Sequence, residues 1–148
     1  MVEEVHEATP EILAGLNRLL PQLSAAADPV DKQALVRVVE SGATRLLIAR
    51  DREGQIIGTL TLAVYRTPTG LRAWIEDVVV DSAARGQGIG EALTRAALAM
   101  AAEDGATTVD LTSRASREAA NRMYRRVGFA ERETNVYRHN LLEAERGE

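Results

Sequence analysis

Three glycines in the hexapeptide Arg85-Gly86-Gln87-Gly88-Ile89-Gly90 stand between an apolar run, Val78-Val79-Val80, and an alanine-rich stretch that continues to Ala102. A chain with this order must end a strand, turn at once and begin a helix. Glycines remove β-carbons, so successive backbone N–H groups can converge on an anion, and the helix that follows adds unpaired N-terminal donors and the positive end of its dipole. Arg85 supplies a charge-assisted bond to the same anion. A pyrophosphate fits such a loop; the plainer alternative is a tight turn that holds nothing. Two other phosphate loops match less well. A nucleoside-triphosphate loop ends in Gly-Lys-Ser/Thr, whereas Glu91 follows Gly90. A dinucleotide loop has the spacing G-x-G-x-x-G, and here the third glycine comes one residue early, although Asp110 lies at a suitable distance downstream.

The rest of the chain is read around that loop. A length of 148 residues predicts one domain over 1–148 with a single active site. With 45% hydrophobic and 27% charged residues the balance is that of a soluble globular protein. A net charge of -4 argues against a nucleic-acid binder. The acidic start, Met1 to Glu7, is unlike a signal peptide and no run reaches membrane-spanning length, so a cytoplasmic location without a membrane partner is expected. The absence of cysteine excludes disulfides, thiolate nucleophiles and zinc-thiolate sites. His6 and His139 are too isolated for a metal cluster, so no metal is expected. Arg114, Arg117, Arg122, Arg125, Arg126 and Arg132 crowd one late segment, while Glu3, Glu4, Glu7, Asp28, Asp31 and Glu40 load the first third. Most of these read as solvated faces. A minority is open to an anionic ligand late in the chain and a cationic one early.

Thr9-Pro10-Glu11 predicts a helix start, with a capping hydroxyl, a proline at the first position and an acid in the first turn. That helix runs to about Leu20, and 31–39 repeats the helical spacing after a Ser24-to-Pro29 loop. Strands are expected at 45–49, 56–65 and 73–80, joined by turns at Asp51-Arg52-Glu53-Gly54 and Thr67-Pro68-Thr69-Gly70. After the glycine loop come a long helix to Ala102, a strand at 107–111, a helix at 116–127 and strands around Phe129 and Val136. Strand, helix, strand implies a parallel crossover. The fold class is therefore mixed α/β, an antiparallel meander followed by a parallel crossover, with helices on both faces.

Arg85-x-x-Gly88-x-Gly90 after a strand resembles the acyl-CoA signature of the GNAT superfamily of N-acetyltransferases. Ala120-Asn121-Arg122-Met123-Tyr124-Arg125-Arg126-Val127-Gly128-Phe129 resembles that superfamily's later helix, where an alanine, a tyrosine and a closing Gly-Phe recur. The likeness covers 75–129 well. It implies a GNAT-like fold, acetyl-CoA as co-substrate and an amine acceptor, either a small molecule or a peptide. It implies that the backbone of Val78 and Val80, on a splayed and bulged strand, pairs with the pantetheine arm. It also implies a pyrophosphate held by Arg85 and the amides of Gln87, Gly88, Gly90 and Glu91, in a loop that Gly86 and Ile89 complete. Arg117 stands where many members carry asparagine, which leaves that contact open to a phosphate instead; Ser82 stands where proline is frequent.

The chemistry then asks for particular groups. An alkyl amine has a pKa near ~10.4 and needs a base before it can attack a thioester. Glu76 is the first choice and Asp77 the second, directly or through water. Uninterrupted strand alternation would put Glu76 on the face of Val78 and Val80. The Val78 N–H is the expected oxyanion donor. Tyr124 is the expected acid for the leaving thiolate, and Asn121, one turn earlier, either orients the cofactor or caps a neighbour. Trp74, Tyr65 and Tyr137 are open to lining the acceptor pocket or to packing on the sheet. No nucleophilic triad can be built, so direct transfer is expected. The competing readings are an acyl-CoA-binding sensor without turnover and a dinucleotide-dependent oxidoreductase. A homodimer would form through an exposed final strand.

Overall fold

The computed structural model describes residues 1–142. Five strands form one sheet in the order β1-β2-β3-β4-β5: β1 (Val2–Glu4), β2 (Thr44–Arg50), β3 (Ile56–Thr67), β4 (Gly70–Val80) and β5 (Thr108–Asp110). Neighbours pair antiparallel except β4 and β5, which are parallel. Four helices complete it: α1 (Pro10–Leu19), α2 (Lys32–Glu40), α3 (Ile89–Asp104) and α4 (Glu118–Val127). This is the mixed α/β architecture expected from the sequence. No helix among the described residues is long and apolar enough to cross a membrane.

Local chemistry explains the helix starts. Thr9 Oγ1 accepts from the Ile12 N–H at 3.2 Å ahead of Pro10, and Asp31 accepts from the Ala34 N–H at 2.8 Å. Each takes up a donor that the first helical turn would leave unpaired. Side chains of β2 alternate between two cores. Leu47 and Ala49 join Leu60, Leu62, Ala73 and Ile75 beneath Leu93, Ala97 and Ala101 of α3. Leu46 and Ile48 join Ile56 and Val79 beneath Ile12, Leu16 and Leu19 of α1 and Leu35 of α2.

Three parts differ from the sequence expectation. β1 was not anticipated: it pairs with residues 47–49 although two of its three residues are glutamates. Distant arginines make this possible. Arg45 donates to Glu4 and to Asp104 of α3, while Arg50 donates to Glu3 and Glu11. The strands expected around Phe129 and Val136 do not form, since 128–140 has no regular structure. Phe129 instead turns back onto α4, its N–H donating to the Tyr124 carbonyl at 2.9 Å. Finally, α4 begins at Glu118 rather than Ser116.

Gly58 lets α3 settle close to β3. A β-carbon there would lie 3.0 Å from Leu93 Cδ1, 3.1 Å from Ile89 Cγ2 and 3.3 Å from the Val79 carbonyl oxygen. Gly58→Val therefore overpacks the helix that carries the glycine loop and should cost roughly 1–3 kcal/mol. Urea denaturation should show a lower midpoint at unchanged slope.

Candidate active site

The loop is fastened at its entrance. The Asp81 N–H donates to the Ile57 carbonyl at 2.8 Å, the Asp81 carboxylate accepts from the Ala83 N–H at 3.2 Å, and the Ser82 N–H donates to Gln22 Oε1 at 2.9 Å. Beyond a short 3-10 turn, Ser82–Ala84, the backbone enters the left-handed region twice, at Gly86 with φ +80° and Gly88 with φ +78°. Only glycine takes this conformation without steric cost. Gly88 is the N-cap of α3 and has no side chain to cap it. The first amides of that helix therefore open outward from an exposed loop. Gly90 lies between two other elements: a β-carbon there would sit 3.6 Å from Met123 of α4 and 3.7 Å from Val80 of β4.

Opposite the loop, β4 is irregular. Thr59 pairs with Val79 and Thr61 with Glu76, so Asp77 and Val78 together oppose the single residue Leu60. Asp77 has φ +52°, left-handed for a non-glycine residue. This bulge ends the strand alternation. Ala73 and Ile75 face α3 before it, and Val78 and Val80 face α3 after it. Glu76 shares the opposite face with Val79, because their partners Thr61 and Thr59 lie on one side of β3. The face expected for Glu76 from uninterrupted alternation is thus corrected. Both Glu76 and Asp77 are exposed. Pairing of β4 with β5 covers only 72–74, so from Ile75 onward this edge of β4 carries no strand among the described residues.

α4 ends where its sequence demands. Gly128 has φ +117° and its N–H closes on the Tyr124 and Arg125 carbonyls. Tyr124 is 7% exposed and meets the Phe129 ring edge-on at 5.8 Å. Its hydroxyl makes no hydrogen bond among the described residues. Burial pushes the phenol pKa above its ordinary value, and the positive charge of Arg117 opposes that shift. Asn121 Nδ2 donates to the Arg114 carbonyl at 3.0 Å, which closes the turn before α4. Arg117 is the N-cap residue of α4, exposed and without a carboxylate partner among the described residues.

Glu91 has a role that the sequence reading missed. Its carboxylate accepts from Arg126 at 2.8 and 2.9 Å and from Arg95 at 3.1 Å, tying the start of α3 to α4. The two guanidiniums, Arg126 foremost, hold its pKa below the usual carboxylate value. The Glu91–Arg95 half was legible as an i,i+4 pair. Several acids of the first third are likewise engaged internally: Glu3, Glu4 and Glu11 with arginines, and Asp31 as a helix cap. Tyr65 is 42% exposed and lines a cleft of about 730 Å³ with Arg45, Arg66 and Asp104, at the hairpin end of β3 and β4 away from the bulge. Trp74 is half-buried, and Tyr137 is 88% exposed. Among the described residues no cluster of His, Asp and Glu could hold a metal.

A left-handed glycine loop, an uncapped helix start, a bulged strand with a free edge and a buried tyrosine thus meet in one region. Solved structures share the fold. A transcriptional regulator from Bacillus halodurans C-125 is 28% identical with a TM-score of 0.78, over 95% of this chain and 99% of that one. An aminoglycoside acetyltransferase from an uncultured soil metagenomic sample, in complex with sisomicin, has a TM-score of 0.83 at 23% identity over 95% of both chains. Glucosamine-6-phosphate N-acetyltransferase from Arabidopsis thaliana has a TM-score of 0.78 at 19% identity, over 94% of this chain and 98% of that one. No curated protein sequence matches significantly. The model described as the acetyltransferase (GNAT) family matches residues 16–129, so the chain belongs to that family.

Proposed function

We propose that this chain is a single cytoplasmic domain over 1–148 that transfers an acetyl group from acetyl-CoA to a primary amine by direct attack in a ternary complex. The observation that carries the reading is the uncapped start of α3 beside the free edge of β4, with Gly90 packed between Val80 and Met123. Converging N–H groups without protein partners suit a diphosphate, and the free strand edge suits an amide-bearing arm. In this reading Arg85 and the amides of Gln87, Gly88, Ile89, Gly90 and Glu91 bind the diphosphate, and Gly86 and Gly88 supply the conformation. Val78 and Val80 pair with the pantetheine arm. Arg117 adds positive charge, and Asn121 holds the turn that carries it. Arg95 and Arg126 neutralise Glu91, which would otherwise place a bare carboxylate beside a dianion.

The reaction needs several proton and charge movements. Glu76, or Asp77 in the bulge, takes the proton of the ammonium, directly or through water. In this reading the Val78 N–H, at the bulge, donates to the oxyanion that forms as the amine adds to the acyl carbon. Tyr124 donates its proton to the departing sulfur, and the second proton that the attacking nitrogen loses as the amide forms restores the phenol through water. Its raised pKa keeps the phenol protonated across neutral pH, as a donor must be. Neighbours named for aminoglycoside and glucosamine-6-phosphate acetylation support an amine acceptor.

A second reading, an acyl-CoA-binding module without turnover, draws on the Bacillus halodurans neighbour named as a transcriptional regulator. Release of free CoA thiol across a panel of amines separates the two: the enzyme releases it, and the module binds without release. Calorimetry should record coenzyme A binding that Arg85→Glu weakens by roughly tenfold or more, the scale of one charge-assisted bond. Tyr124→Phe should lower kcat by roughly a hundredfold with a small change in KM. In the parent enzyme kcat should fall on the alkaline side only above the ordinary tyrosine range, and this limb should be absent from the variant.

A further inference from the structure

Among the described residues, Ser113 Oγ is the one buried side-chain oxygen or nitrogen without a hydrogen-bond partner. A hydroxyl can both donate and accept, and a buried one left with neither costs the free chain stability. Beyond β5 the chain keeps a strand-like alternation although it has left the ladder. Thr108, Asp110 and Thr112 are exposed, while Val109, Leu111 and Ser113 are half-buried. Val109 and Leu111 pack against the core beneath α3, and the same alternation sets Ser113 on that side of the sheet. Arg72 stands opposite Thr108 and Trp74 opposite Asp110, so in continued register Ser113 comes level with Asp77 in the bulge. No backbone bond joins 111–113 to β4 among the described residues. Two stretches, 75–80 of β4 and 111–113, thus run side by side without pairing.

From the orphaned hydroxyl and its level in the sheet, we propose that Ser113 is a specificity residue for the pantetheine arm, its Oγ hydrogen-bonding an amide of the arm in the stretch next to the thioester. This rests on the acyl-CoA reading above and adds a side-chain contact to it. Each amide of the arm offers an N–H and a C=O, the groups that meet an unpaired strand edge and a hydroxyl alike. The hydroxyl is closed to solvent in the free chain. With no backbone bond to β4, the segment 111–113 yields as the arm enters, and the hydroxyl gains the partner it lacked. Ser113 therefore selects for the arm, whereas the loop from Arg85 to Gly90 serves the diphosphate.

Two ligands test this on the full chain: coenzyme A, and 3′-phospho-ADP, which is its nucleotide part without the arm. Calorimetry, with displacement for the weaker ligand, gives both affinities in the parent and in Ser113→Ala. The variant should bind coenzyme A roughly threefold to tenfold more weakly, the scale of one neutral hydrogen bond, and 3′-phospho-ADP as the parent does. Without ligand its thermal midpoint should equal or exceed the parent's, because the hydroxyl removed has no partner to lose. A hydroxyl with a structural role alone would give a lower midpoint without ligand, or an equal loss of affinity for both ligands, and either result overturns the proposal. Parent-like affinity for coenzyme A in Ser113→Ala defeats this inference alone. A parent protein that binds no coenzyme A defeats the acyl-CoA reading, and this inference with it.

Discussion

The first amides of a helix have no intrahelical partners, and something else must satisfy them. In α1 and α2 a hydroxyl and a carboxylate do so, from Thr9 and Asp31. In α3 the same position holds Gly88, left-handed and without a side chain. The longest helix among the described residues, sixteen residues, thus begins with no side chain on its first donors or at its positive dipole end. α4 also starts without a side-chain cap, at Arg117, but only the start of α3 lies on a glycine loop where β4 ends and α4 passes.

The surrounding elements make the opening usable. Leu93, Ala97 and Ala101 bury one face of α3 against the sheet, so the position of its first turn follows from core packing. The bulge at Asp77 and Val78 changes which side chains of β4 face α3. The short pairing of β4 with β5 leaves the edge beyond Trp74 clear. Arg126 joins α4 to Glu91 at the start of α3. Packing, a two-against-one register and one ion pair together set the uncapped start of α3 next to a free strand edge.

Much of this was legible locally. Thr9-Pro10 announces a helix start because capping involves residues only three apart, a signal that Asp31 also carries although only the helical spacing of 31–39 was read there. Arg85 to Gly90 and Gly128-Phe129 announce a loop and a helix end because left-handed backbone selects glycine. What stayed hidden depended on distant partners. Glutamates make β1 look like a solvated terminus until Arg45 and Arg50 are brought alongside. The family resemblance implied a bulge near Val78 and Val80, but nothing in Glu76-Asp77-Val78-Val79-Val80 marks the exact residue at which it enters the ladder, so the face of Glu76 could not be read. Arg126 is one of many late arginines until the fold sets it beside Glu91. The strands expected near Phe129 and Val136 had suitable residues, but a strand needs a neighbour, and Phe129 is held by Tyr124 instead.

The central claim is that the amides from Gln87 to Glu91 converge on a diphosphate. Backbone resonances of the folded protein, followed during titration with coenzyme A, test it most directly. The account predicts that the amide signals of Gln87, Gly88, Ile89, Gly90 and Glu91 move furthest, downfield and in step with saturation, as N–H groups do when they donate to an anion. Saturable binding that leaves these five signals in place, with the shifts gathered around Tyr65 and Arg66, would contradict it.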